Sequence, residues 1–194
     1  MNSRRRQRIL ECARDIYLEQ GLKALSMRKI AAQVGLSPMA LYRHFKDRKD
    51  LVFQLVEEGF RIFGSYLHQA LEGRTPQVRL HRTGEAYLRF ALEQSRYYQM
   101  IFMSPEQLGC ESIPLEIQNK AYATFQFLVD RVQESMRAGI LKMGEPMEVT
   151  LVLWAQSHGL VSLFLLGHFG ERNDKNFQKI YRTSIQRILD GLER

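Results

Sequence analysis

Apolar positions recur at spacings of three and four along nearly the whole chain. No stretch alternates with the period of two that a half-buried strand requires. The pattern predicts an all-α protein of about nine helices, with glycine and proline at the joints. The first is expected over 4–20, burying Ile9, Leu10, Ala13, Ile16 and Tyr17 and stopping at Gly21. A second fits 27–34, between Ser26, whose hydroxyl can cap it, and Gly35. Ser37 is placed to cap a third, with Pro38 at its first position, running to about Phe45. Two short helices joined by a tight turn containing glycine make a helix-turn-helix.

Asp47 can cap a fourth helix, in which Leu51, Leu55, Gly59, Ile62, Tyr66 and Ala70 keep the period until Gly73. Further helices are expected at 77–94, 95–103, 115–138, 146–169 and 173–192, with 73–76 as a polar linker. The segment 104–114 holds two prolines and Gly109, reads as irregular, and could close over a cavity. Residues 149–166 are apolar and long enough to suggest a membrane span. Gln156 and His158 near its middle would be costly in lipid, so a helix buried on nearly all sides is expected instead, and no membrane partner.

Charge divides the chain in two. The first 50 residues hold 12 Lys or Arg against 5 acids, which is the entire net charge of +7; the remaining 144 balance at 16 of each. Excess positive charge confined to one segment suits a polyanion. The expected organisation is therefore a DNA-binding domain over 1–50 and a helical domain for ligand and dimer formation over 51–194. Cys12 and Cys110 are the only cysteines, with no CxxC and no secretory leader, which fits a reducing cytoplasm. Neither cysteine has a resolving partner nearby in sequence.

If Leu41 and Phe45 anchor the third helix, the opposite face follows at about 100° per residue. Met39 and Arg43 then point outward, suited to reading base edges in a major groove. Ala40, Tyr42 and His44 flank them, with Ser37 and Pro38 at the helix start. Tyr42 and His44 can donate to phosphates, Ser26 and Ser37 sit where helix N-termini offer free amides, and Arg28, Lys46, Arg48 and Lys49 add positive charge. Arg4, Arg5 and Arg6 are expected to form an arm reaching an adjacent groove.

Residues 26–51, SMRKIAAQVGLSPMALYRHFKDRKDL, resemble the helix-turn-helix of the tetracycline-repressor (TetR) family of bacterial regulators. The Ala31-Ala32 packing pair, Gly35, Ser37, Leu41-Tyr42, His44-Phe45 and Leu51 carry the likeness. It implies phosphate contacts from Tyr42 and from Arg48, which stands where the family often has lysine. WAQSHGL at 154–160 is similar to the Trp-His-Gly signature of one sensor class in that family. The resemblance further implies a dimer built by the last two helices and an inducer pocket in the interior.

The second region is rich in aromatics and methionines on expected inward faces: Phe60, Phe63, Tyr87, Phe90, Met100, Phe102, Tyr122, Phe125 and Trp154. His158, one turn beyond Trp154, offers a polar handle, although a hydrogen-bonded structural histidine is the blander reading. Gly159 and Ala123 are positions where added bulk should fill the cavity. The five histidines lack paired ligand spacing, so no metal and no cofactor is expected. No G-x-S-x-G, P-loop or dinucleotide fingerprint points to an enzyme. The reading is a cytoplasmic, dimeric, ligand-responsive regulator, in this family most often a repressor. Its partners would be an operator duplex, a small, largely apolar inducer and a second copy of the chain. An architectural DNA binder without a ligand is the competing reading.

Overall fold

The computed structural model describes residues 2–103 and 113–192. Among these the chain is helical, with α1 at Asn2–Gln20, α2 at Met27–Val34, α3 at Pro38–Tyr42 and α4 at Arg48–His68. These are followed by α5 at Pro76–Glu93, α6 at Ser95–Tyr98, α7 at Leu115–Arg137, α8 at Pro146–Leu165 and α9 at Asp174–Leu192. Short 3-10 turns occupy Leu22–Ala24 and Gln69–Glu72. The segment expected to close a cavity, and Cys110 within it, falls mostly at 104–112, outside the described residues.

Local signals account for the ends of these helices. The Ser26 hydroxyl accepts from the Lys29 amide and that of Ser37 from the Ala40 amide, each at 3.2 Å. Asp47 accepts from the Asp50 amide at 2.8 Å and Thr75 from the Val78 amide at 3.2 Å. These side chains satisfy amides that a helix leaves without internal partners. Gly35, at φ 70° and ψ 36°, ends α2 in the left-handed region, and the Leu36 amide closes back on the Ala31 carbonyl at 2.9 Å. A side chain at Gly35 would be strained there.

Four expected helices are shorter. The third stops at Tyr42, before Phe45, and the fourth passes into the 3-10 turn at Gln69. The eighth ends at Leu165, ahead of Gly167, rather than at 169. The helix expected over 95–103 is α-helical only to Tyr98 and then widens into a π turn at Gln99–Met103.

Two compact units emerge, interleaved along the chain. One comprises Met1–Arg61 with Arg96–Lys120, the other Ile62–Ser95 with Ala121–Arg194. The first unit's core holds Ile9, Ala13, Ile16, Leu25, Ile30, Ala31, Leu41, Phe45, Leu51 and Leu55, all buried. Ala32 is exposed, so the expected alanine pair packs through Ala31 alone. In this unit α6 lies close on α4: a Cβ at Gly59 would stand 3.0 Å from Ile101 Cγ2 and 3.1 Å from Tyr97 Cδ1. The Tyr97 hydroxyl donates to Glu58 Oε2 at 2.8 Å, Arg14 stands 3.7 Å from the same carboxylate, and the Tyr17 hydroxyl donates to the Arg96 carbonyl. Burial pushes the Tyr17 pKa up to about 12 and raises that of Tyr97, the latter aided by the Glu58 carboxylate.

The second unit packs Leu80, Val132, Met136, Leu141, Leu153 and Leu189 into one apolar cluster. The Tyr181 hydroxyl stands 3.1 Å from both the Gly84 carbonyl and the Ser157 hydroxyl, joining α5, α8 and α9. Arg182 grips Glu85 with two 2.7 Å hydrogen bonds on the surface. Such an exposed pair adds little stability but fixes orientation.

Helix α8 departs from its expected burial. Thr150, Leu153, Ser157, Val161 and Phe164 form one inward stripe, while Leu151, Val152, Leu163 and Leu166 are exposed. Only 28% of its most apolar window is buried within the chain. The remainder is an uncovered apolar face with small Ala155 at its centre and Gly159 beside it, where a Cβ would meet nothing within 4 Å. Gly159 thus lies on the outer side of α8 rather than beside the aromatic residues, and Ala123 is exposed. Neither position would fill an interior cavity.

Candidate nucleic-acid interface and sensor residues

The candidate interface starts from two buried residues. Leu41 and Phe45 are 0% and 1% exposed, anchoring α3 and the residues just after it. At about 100° per residue their burial turns Met39 and Arg43 away from the core. Met39 is 72% exposed, Tyr42 49%, and Arg43 is exposed. Ser26, Arg28, Ser37, Pro38 and Lys46 are also exposed, and Ala40 and His44 half-buried. Among the candidates of this region, the basic side chains of Arg28, Arg43 and Lys46 and the hydroxyl-bearing Ser26, Ser37 and Tyr42 are therefore exposed on and around α2 and α3.

Two arginines of this region are engaged within the chain. The first residues form no extended arm: α1 is already helical at Asn2, and the Arg6 guanidinium lies 4.9 Å above the Phe45 ring. That cation–π contact uses Arg6 to hold α1 against the residue that follows α3. Arg4, Arg5 and Arg8 remain exposed along the helix. Arg48 is half-buried, with Nε donating to the Leu25 carbonyl at 2.9 Å and Nη2 to the Leu22 carbonyl at 2.8 Å. Sequence spacing carried no sign of this, because the partners are backbone atoms more than twenty residues away.

The sensor candidates divide between the units. Phe60, Met100 and Phe102 belong to the first, where Phe60 meets Phe102 edge-on at 6.3 Å and Met100 is buried. Phe63, Tyr87, Phe90, Phe125, Trp154 and His158 belong to the second. There Phe63 packs against Phe90 at 4.9 Å and edge-on to Tyr87 at 5.8 Å. The Tyr87 hydroxyl lies 3.1 Å from His158 Nδ1, and the Ser162 hydroxyl 3.4 Å from Nε2. Trp154 stacks on His158 and receives Phe125 edge-on at 6.1 Å. Burial lowers the His158 pKa from its ordinary 6.5, favouring the neutral ring. Tyr122 is 63% exposed. Among the described residues no group of three side chains could hold a metal ion.

Known proteins place this architecture. Residues 9–55 match the model of bacterial regulatory proteins, tetR family, and 80–188 that of the tetracyclin repressor-like C-terminal domain. An HTH-type transcriptional regulator of Staphylococcus aureus (strain USA300) is 39% identical over 64 residues, 33% of this chain and 35% of that protein. The match thus spans about a third of such relatives' length. A protein of unknown function from Rhodococcus sp. RHA1 shares the fold at TM-score 0.85 and 23% identity, over 98% of this chain and 96% of that one. The TetR family transcriptional regulator PfmR from Thermus thermophilus does so at 0.69 and 22%, over 96% and 99%. The ketosteroid transcriptional regulator KstR2 of Mycobacterium tuberculosis matches at 0.71 and 18%, over 98% and 95%. The Staphylococcus, Thermus and Mycobacterium proteins are named transcriptional regulators, and with one family model spanning more than half of its residues, the chain belongs to the TetR family of bacterial transcriptional regulators.

Proposed function

We propose that this chain is a ligand-responsive repressor that reads an operator through Met39 and Arg43 and releases it when a small, largely apolar molecule occupies the sensor region. The observation that carries the DNA-reading assignment is α3 itself, with Leu41 and Phe45 buried and Met39 and Arg43 exposed. An arginine so presented can pair bidentately with guanine, while a methionine can meet a thymine methyl. Tyr42, His44, Ser26, Ser37, Arg28 and Lys46 serve the phosphate backbone, Pro38 and Ala40 flank the base-reading pair at the start of α3, and Arg5 adds positive charge on α1.

The uncovered face of α8 supports a two-fold dimer formed with α9. Ala155 and Gly159 allow close approach, and Leu151, Val152, Leu163 and Leu166 supply apolar area. Such a dimer presents two α3 helices to half-sites one helical turn, or a small multiple, apart. The ligand reading is supported by the aromatic cluster of Phe63, Tyr87, Phe90, Phe125 and Trp154 and by His158, a polar anchor among Tyr87, Ser162 and Trp154. Helix α4, roughly 31 Å long, contributes residues to both compact units. A ligand binding the DNA-incompetent state more tightly could act by tilting it. The protein would work in the cytoplasm, on a double-stranded DNA operator.

Selection of a preferred duplex from a randomised pool tests the reading. Enrichment of a sequence with two symmetric half-sites supports it, and retention of random DNA without preference favours an architectural role. Release of the enriched duplex by hydrophobic aromatic compounds, lost in Trp154→Ala, tests the sensor assignment.

A further inference from the structure

We infer that Arg48 is a positioning residue for the DNA-reading helices rather than a phosphate contact: its guanidinium ties the first turn of α4 to the backbone that leads into α2. Nε and Nη2 donate to two different carbonyls, Leu25 at 2.9 Å and Leu22 at 2.8 Å. Both bonds are charge-assisted, and the planar fork reaches both acceptors at once, which the point charge of a lysine does not. The acceptors belong to the 3-10 turn and its cap, directly before Ser26 begins α2.

The same turn of α4 holds the other end of the helix-turn-helix. The Asp50 carboxylate accepts from the Lys46 amide at 3.0 Å, and Asp47 accepts from the Asp50 amide. Entrance and exit of the α2–α3 pair are thus fastened by Arg48 and Asp50. A tie at that place sets the angle at which α3 meets a duplex, and Nε and one Nη2 hydrogen, two of the five guanidinium donors, are engaged before any DNA arrives. The inference rests on the reading of α3 as the DNA-reading helix.

Wild type, Arg48→Lys and Arg48→Gln are compared on the duplex that wild type enriches from a randomised pool and on a shuffled duplex of the same length. Both variants are expected to lose roughly tenfold on the enriched duplex and little on the shuffled one, with lysine giving no rescue. The inference is overturned if lysine restores wild-type affinity while glutamine weakens both duplexes alike and lowers the salt slope by about 0.9, the signature of one lost phosphate contact.

A second measurement needs no variant. In wild type free of DNA, the Arg48 Nε proton should exchange slowly with water by NMR and stay so after a duplex is added. Protection that appears only with DNA overturns the inference. A wild type that enriches no sequence removes the DNA-reading assignment but leaves Arg48 to be decided by this exchange measurement.

Discussion

The imidazole of His158 lies almost flat on the indole of Trp154, with ring centroids 5.2 Å apart and planes 16° from parallel. Burial holds this ring neutral by lowering its pKa from 6.5. The unfolded chain therefore takes up a proton as pH falls through 6.5 while the folded chain resists it. Stability is fully present above 6.5 and declines toward the lower folded pKa. Trp154 is the single tryptophan, so its emission reports the unfolding of this site. The expected result is a wild-type melting temperature that drops between about pH 7.5 and about pH 5.5, and a smaller drop in His158→Gln. Equal drops in the two proteins would mean that another group titrates.

Exposure on α3 separates base reading from backbone contact. Arg43→Ala should cost about 1 to 3 kcal/mol on the preferred duplex and relax selection at one base position. Tyr42→Phe should weaken preferred and shuffled duplexes alike, because a phosphate contact carries no sequence information. Equal losses for Arg43→Ala on both duplexes would exclude it from base reading.

The outer face of α8 gives a test of self-association. Gly159→Leu adds a side chain where the chain offers no neighbour within 4 Å, so the single chain should keep its helicity. The dimer, however, should dissociate at micromolar concentration in sedimentation velocity. Leu163→Glu, at a position 45% exposed, should act in the same way through charge. Variants that stay dimeric would place the interface elsewhere.

Close packing of α6 on α4 makes Gly59 a sensitive position. Gly59→Leu must displace Tyr97 and Ile101, whose atoms stand 3.1 and 3.0 Å from the first added carbon. Overpacking of this kind costs about 1 to 3 kcal/mol. Tyr97→Phe removes the hydroxyl that donates to Glu58 and should cost about 1 to 2 kcal/mol. Urea denaturation measures both, and a Gly59→Leu protein as stable as wild type would contradict the close approach.

What the sequence made legible depended on distance along the chain. Ser26, Ser37 and Asp47 announce their helices because a cap acts within three residues, and Gly35 marks its turn through its own backbone freedom. The exposed Met39 and Arg43 follow from the helical period once Leu41 and Phe45 are placed in the core. The tie from Arg48, the stacking of Arg6 on Phe45 and the approach of Tyr97 to Gly59 join positions 23 to 39 residues apart, where periodicity carries no information. The π turn at Gln99–Met103 has no local composition to mark it. The apolar run of α8 was visible, but the same residues suit a fully buried helix and one left half uncovered.

Because residues 96–120 group with the unit that holds the two short helices, that unit is discontinuous along the chain. A chimaera made by joining its first 60 residues to a relative's remainder would separate the Tyr17 hydroxyl from its own Arg96 carbonyl and Glu58 from its own Tyr97. A chimaera that carries both segments together, or one in which only exposed residues of α3 are replaced while the buried ones stay, keeps these contacts intact.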